Sequence, residues 1–394
     1  MLKKIVLGLA ASTLLASTAL GADKVKIGFV TTLTTPAGVI GADMKNAVDL
    51  ALEHIGGKMG NLEVEVIYED DGFKPDVGKQ KTDKLVQQDN VDFVAGYIWS
   101  HVLLASKKSV LDAGKFLISS NAGPHQLAGS ECDKNFFSTS WQNDQTPMAL
   151  GEVLNKAGVK KLYIMAPNYA AGKDMVAGVE RTFKGEIVGK DMTKWGADAQ
   201  LDFSAELAKV KASGAQALWV FYPGKAGPAI IKQYEQAGLQ GQIPLYSVYT
   251  IDAIALPRLQ AAGMKGALGT RLTQFWDPTL DNEQNKKFVN DFKAKYGTYP
   301  SFYAAQSYDT IFLIKSAVEA VNGDLKNMDG MRAAMEKADF PSVRGKFTYG
   351  KNHFPIQNFY EREVVVDADG KWTTKVASTV FENHQDSFVG ECKM

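Results

Sequence analysis

The apolar residues of this chain keep changing their spacing, and the alternation carries the fold. Val25, Ile27, Phe29 and Val30 form a short β-branched and aromatic run, the composition of a strand buried on both faces of a parallel sheet. A hydroxyl-rich turn holding Pro36 and Gly38 follows. Met44, Ala47, Val48, Ala51, Leu52 and Ile55 then fall at steps of three and four, which predicts a helix with one apolar face. This strand, loop, helix unit recurs. Residues 62–68 alternate as a strand near a sheet edge, closed by Asp70, Asp71 and Gly72, which read as the cap of a helix over 75–88. A strand at 91–94, a helix at 102–113, a strand at 115–119 and an extended piece at 136–141 complete a first run.

The rhythm then restarts. Strands are predicted at 162–166, 186–191, 217–222 and 245–249, alternating with helices at 146–157, 173–183 and 203–212 and one ending at Ala237. A short strand reaching Thr273, long helices at 282–296 and 301–321, and extended pieces at 345–349, 359–366 and 372–380 close the chain, with Asp369 and Gly370 as a hairpin turn. The class is α/β, with parallel central sheets in two lobes. No Pro/Ser-rich linker separates the runs, so the lobes are expected to be joined by several strands. In such units ligands bind at the loops beyond the strands' carboxyl ends, beside free helix N–H groups.

Composition narrows the setting. Lys3 and Lys4 precede an apolar run, and Ala19, Leu20 and Gly21 make the small-x-small pattern of an export leader, cleaved near Gly21 or Ala22. The run is shorter than the roughly 20 residues of a membrane span, and no cysteine stands at the cleavage site for a lipid anchor. Export into an oxidising compartment would bring Cys132 and Cys392, the two cysteines, into a disulfide. Lys and Arg number 44 against 44 Asp and Glu, so neither nucleic acid nor an anionic membrane is an expected partner. Catalytic signatures are missing: there is no G-x-S-x-G elbow, H-E-x-x-H helix or C-x-x-C pair. The histidines have no ligand spacing, and Ser100 beside His101 is no dyad, so no metal, cofactor or enzymatic activity is expected.

Lys26, Ile27 and Gly28 with Pro36, Gly38 and Gly41, then Glu69, Asp70 and Asp71, Asn121, Ala122 and Gly123, and Tyr308 with Asp309 occur in an order that resembles the leucine/isoleucine/valine-binding family, the periplasmic solute-binding proteins of ABC transporters. The resemblance covers nearly the whole chain after the leader. It implies a type I periplasmic binding protein: two Rossmann-like lobes linked by three crossovers, a monomer that closes on its ligand and presents it to a membrane permease. The expected division is a leader at 1–22, a first lobe of 23–141 plus 272–345, a second of 142–271 plus 346–380, and a tail at 381–394.

By the same resemblance Ser100, Ala122 and Gly123 hold the ligand's carboxylate with Trp99 and Asn121 alongside, and Tyr222 and Tyr169 give aromatic walls. An amino-acid ligand also needs an acidic partner for its ammonium, because a buried unpaired cation is costly. Where the family pattern expects one, this chain has Tyr249, with Asp252 three residues on. If Tyr249 faces the cleft and Asp252 does not, an aromatic or aliphatic acid without an amine is favoured. If Asp252 reaches inward, a branched-chain or aromatic amino acid fits; it could instead cap the next helix. A secreted hydrolase and a signalling sensor are the competing classes.

Overall fold

The computed structural model describes residues 24–196 and 199–394; the expected leader lies outside the described residues. A first sheet holds β1 (Lys24–Thr31), β2 (Lys58–Met59), β3 (Leu62–Asp70), β4 (Phe93–Gly96), β5 (Phe116–Ser119) and β6 (Phe136–Ser138) in the order β2-β3-β1-β4-β5-β6. All its pairs are parallel except the two-residue β2 at the edge. The second sheet holds β7 (Lys161–Pro167), β8 (Glu186–Thr193), β9 (Ala217–Phe221), β10 (Leu245–Val248), β11 (Arg271–Gln274), β12 (Thr348–Tyr349), β13 (Pro355–Val366) and β14 (Trp372–His384). Its parallel part runs β8-β7-β9-β10-β11, the order of the first sheet repeated, and the β13–β14 hairpin adds to β11 antiparallel. In both sheets the order reverses beside the first strand of the run, which places a ligand crevice at that point.

The helices follow the strands: α1 (Gly38–His54), α2 (Pro75–Gln87), α3 (Ser100–Leu111) and α4 (His125–Ala128) around the first sheet, then α5 (Gln145–Lys156), α6 (Ala170–Thr182), α7 (Ser204–Ala212), α8 (Ala226–Gln236) and α9 (Leu256–Ala261) around the second. After β11 the chain returns to the first lobe as α10 (Glu283–Tyr296), α11 (Phe302–Ala320) and α12 (Met328–Glu336), and α11 packs along α1. Three segments therefore cross between lobes: after β6, after β11 and before β13. A buried arginine ties two of them. Arg344 Nε meets Asp309 Oδ2 of α11 at 3.1 Å, while its other nitrogens donate to the carbonyls of Thr139 and Ser140 and to Gln357 Oε1 on β13. Removing one partner of such a buried pair costs about 3–5 kcal/mol.

Sequence boundaries shift where pairing decides them. Leu272 to Gln274 belong to the second sheet, since β11 pairs with β10 and β13, and the hairpin runs on to His384 rather than ending at 380. Asp70 and Asp71 do not cap α2, whose N-cap is Lys74 without a side-chain bond. Asp70 lies opposite Thr31 in the β1–β3 register, so the aspartates hold the loop after β1: Asp70 accepts from Leu33 N and Thr34 Oγ1, Asp71 from Thr32 Oγ1 and Phe73 N. Cys132 and Cys392 are bridged, tying the end of the chain to the first lobe across 260 residues of sequence.

Candidate binding cleft

The carboxyl ends of β4, β5, β7, β9 and β10 open on one pocket between the lobes. The first lobe supplies Trp99 and Ser100 where β4 turns into α3, and Asn121 and Ala122 after β5; the second supplies Tyr169 and Ala171 at the start of α6, Phe221 at the end of β9, and Tyr249 after β10. Trp141 and Asn143 reach it from the first crossing, and Tyr303 from the first turn of α11. Six rings therefore form the wall.

The rings are fixed from behind. Trp99 Nε1 donates to Thr32 Oγ1 at 2.8 Å, and Thr32 donates to Asp71 Oδ1 at 2.5 Å, while Phe73 stacks on the indole at 4.1 Å between centroids. Burial pushes the Asp71 carboxyl up to about 6. Tyr249 stacks on Trp141 at 4.6 Å and donates its hydroxyl to Thr146 Oγ1, which holds its ring on the cavity wall. Burial also drives the Tyr249 and Tyr303 hydroxyls well above the ordinary phenol range, so both remain protonated.

The cavity's polar groups include free donors. The first N–H groups of α3 and α6 have no partner within their helices, and Ser100 and Ala171, at those ends, line the cavity from opposite lobes. Asn143 Nδ2 donates to Ser100 Oγ at 3.0 Å and to Asp174 Oδ2 at 2.9 Å, while its Oδ1 takes the Gly123 N–H at 3.2 Å. Asp174, on α6, also meets His125 Nδ1 of the first lobe at 2.8 Å, so one chain of bonds crosses from lobe to lobe behind Ser100. Among the described residues, none that lines the cavity is an Asp, Glu, His, Lys, Arg or Cys. Ser100 has an amide beside it rather than a base, so nothing there makes it a nucleophile.

Of the residues singled out from sequence, Trp99, Ser100, Asn121, Ala122, Tyr169 and Tyr249 are brought together at the cavity. Three are not. Tyr222 is turned to the other side of the sheet, in the core around Phe203, with its hydroxyl 3.0 Å from Thr193 Oγ1; its neighbour Phe221 takes the wall. Gly123 is off the cavity: a Cβ there would stand 2.0 Å from the Trp141 carbonyl, so glycine serves close chain passage. The Ala122 N–H is likewise committed, to the Tyr97 carbonyl at 3.0 Å. Asp252 accepts the N–H groups of Ile254 and Ala255, the capping alternative, and does not line the cavity. Asn121 is largely spent on structure, donating to the Ile98 carbonyl and accepting from Gln306.

Sequence reading missed Trp141, Asn143, Phe221 and Tyr303. Trp141 and Asn143 sit in a crossing segment with no periodicity, and Tyr303 opens a helix buried on nearly every side. Phe221 was within reach, being one step along the same strand end.

Two repeated α/β lobes, three crossings among the described residues and an aromatic pocket between the lobes define a two-lobed receptor for a small molecule. Residues 24–371 match the family described as periplasmic binding protein, and the chain belongs to that family. Leu/Ile/Val-binding protein homolog 6 of Brucella melitensis is 28% identical over 396 residues, the match covering 98% of each chain. Among solved structures, an ABC-transporter solute binding protein from R. palustris in complex with benzoate has a TM-score of 0.86 and 29% identity, covering 94% of this chain and 100% of that one. A second, from Rhodopseudomonas palustris BisB5 in complex with 3,4-dihydroxy benzoic acid, gives 0.84 and 26%, covering 93% and 99%. LivJ of Streptococcus pneumoniae in complex with isoleucine shares the fold at 0.77, with 23% identity over 90% of this chain and 99% of its own.

Proposed function

We propose that the chain is the substrate-binding component of an ABC transporter, and that its cleft takes a small aromatic carboxylate without an amine. One observation carries the ligand class: the cavity presents rings and hydrogen-bond donors, and no carboxylate lines it among the described residues. A carboxylate can accept from the Ser100 hydroxyl and from the N–H groups opening α3 and α6, where helix dipoles favour negative charge. The benzene ring then lies among Trp99, Trp141, Tyr169 and Tyr249. The benzoate and dihydroxybenzoate bound by the two R. palustris relatives support the same class.

An amino acid is the second reading, favoured by the Brucella melitensis relative being a Leu/Ile/Val-binding protein homolog. Its ammonium would lie against phenols and indoles with no counter-charge, an expensive arrangement. The ligand is carried, not altered, by a monomer that acts in the periplasm after loss of a leader near Gly21 or Ala22 and hands its cargo to a permease. Thermal-shift screening of benzoates against branched-chain amino acids tests the choice, since a ligand of the folded form raises its melting temperature. A shift with leucine or isoleucine and none with any benzoate would overturn it, and recovery of a cleaved compound would overturn the binding role.

A further inference from the structure

Two buried polar atoms beside the cleft have no hydrogen-bond partner among the described residues: Trp141 Nε1, a donor, and Gln306 Oε1, an acceptor. Their residues are 2% and 0% exposed. Buried polar groups in native proteins are nearly always paired, and an unmatched one is costly, so a free donor and a free acceptor beside one ligand site point to a partner brought by the ligand.

Both atoms belong to the α11 side of the cleft. Trp141 lines it, and its ring meets Phe302, in the first turn of α11, edge-on at 5.8 Å between centroids. Ser140 Oγ donates to the Asn121 carbonyl at 2.8 Å, which sets the Trp141 backbone beside that asparagine. Gln306 stands on α11 three residues after Tyr303, so the two share a helix face, and its Nε2 donates to Asn121 Oδ1 at 2.6 Å. Tyr303 and Asn121 both line the cleft. The amide orientations are fixed, because Asn121 Nδ2 must face the Ile98 carbonyl at 2.7 Å. That turns Asn121 Oδ1 toward Gln306 and leaves Gln306 Oε1 as the acceptor. Trp99 differs from Trp141, since its own N–H is already used on Thr32.

Building on the reading of the cleft as a site for an aromatic carboxylate, we propose that the ring of the ligand carries a hydroxyl group, which accepts from Trp141 Nε1 and donates to Gln306 Oε1. A phenolic hydroxyl can do both. A bare ring leaves both atoms unmatched, and an ether oxygen matches only the indole. Trp141 and Gln306 thus set the preference among aromatic acids.

The test is calorimetric titration of the full chain at pH 7.5 with benzoate, 3-hydroxybenzoate, 4-hydroxybenzoate and the methyl ethers of the two phenols. One hydroxy isomer is expected to bind roughly 10-fold or more tighter than benzoate and than its own ether. Trp141→Phe keeps an aromatic ring and loses the N–H, so in it the affinities for that phenol and for benzoate should come within about 2-fold of each other. A melting curve shows that the variant is folded, and the ligand series on the natural chain decides without it. Equal binding of benzoate and both phenols, an ether that binds as tightly as its phenol, or a preference kept in folded Trp141→Phe overturns the proposal and leaves the reading of the cleft standing. Failure of the whole series to bind, benzoate included, overturns the reading of the cleft and the proposal with it.

Discussion

Asn143 donates to Ser100 Oγ across 3.0 Å, and this commits that oxygen as an acceptor and frees the Ser100 proton for the cleft. The orientation of the amide is fixed at its other bonds, because Asp174 can only accept and the Gly123 N–H can only donate. Ser100→Ala should weaken benzoate binding 10-fold or more, on the order of 1–3 kcal/mol for a buried hydrogen bond to a charged group. Asn143→Asp, which removes the donor and sets a carboxylate beside Asp174, should do at least as much. Calorimetric affinities that match wild type would remove both residues from the site.

Phe221 and Tyr222 make a paired test of strand register. Phe221→Ala should weaken benzoate 10-fold or more by opening the aromatic wall. Tyr222→Phe should leave affinity unchanged and cost about 1 kcal/mol of stability, the worth of the lost bond to Thr193. The opposite ranking in a binding assay would put Tyr222 back in the cleft.

These two residues also show what sequence can and cannot tell. The β-branched runs and the three-and-four spacing gave both sheets and most helices, because burial of one face dictates them. Side-chain direction at a strand's last residue is another matter: the chain leaves the pleat there, and a slip of one position sends the ring to the opposite face. Asp70 and Asp71 failed as a cap for a different reason. Besides the neighbouring Gly72 and Phe73 N–H groups, their partners are Thr32, Leu33 and Thr34, distant in sequence and adjacent only because β1 and β3 pair. Asn143 had no local signal at all, since its role comes from three partners on separate segments.

Asp71 gives a pH dependence. Burial raises its carboxyl from 3.8 to about 6 in the folded chain, so the native state holds a proton that the unfolded state has released between those values. The stability this contributes is complete below pH 3.8 and lost as pH rises through 6. Asp71→Asn cannot titrate. Its stability relative to wild type should therefore increase from pH 4 to pH 8, by on the order of 3 kcal/mol. Melting curves whose difference stays constant over that range would contradict this.

The disulfide should matter for stability and not for binding. Cross-linking so long a loop is worth about 5 kcal/mol in the chain-entropy model, and neither cysteine lines the cleft. Replacing both cysteines by serine should lower the melting temperature and leave benzoate affinity within 2-fold, as calorimetry on the folded variant would show. A large loss of affinity would mean that the bridge shapes the site.

A cleft built for a carboxylate and a ring, with no carboxylate among its described lining residues, should reject an ammonium. Competitive calorimetry of the chain at pH 7.5, with benzoate and isoleucine titrated separately and then against each other, is the decisive experiment. One benzoate site and no heat from isoleucine at comparable concentrations are expected. Isoleucine binding at one site, with benzoate unable to displace it, would contradict that expectation.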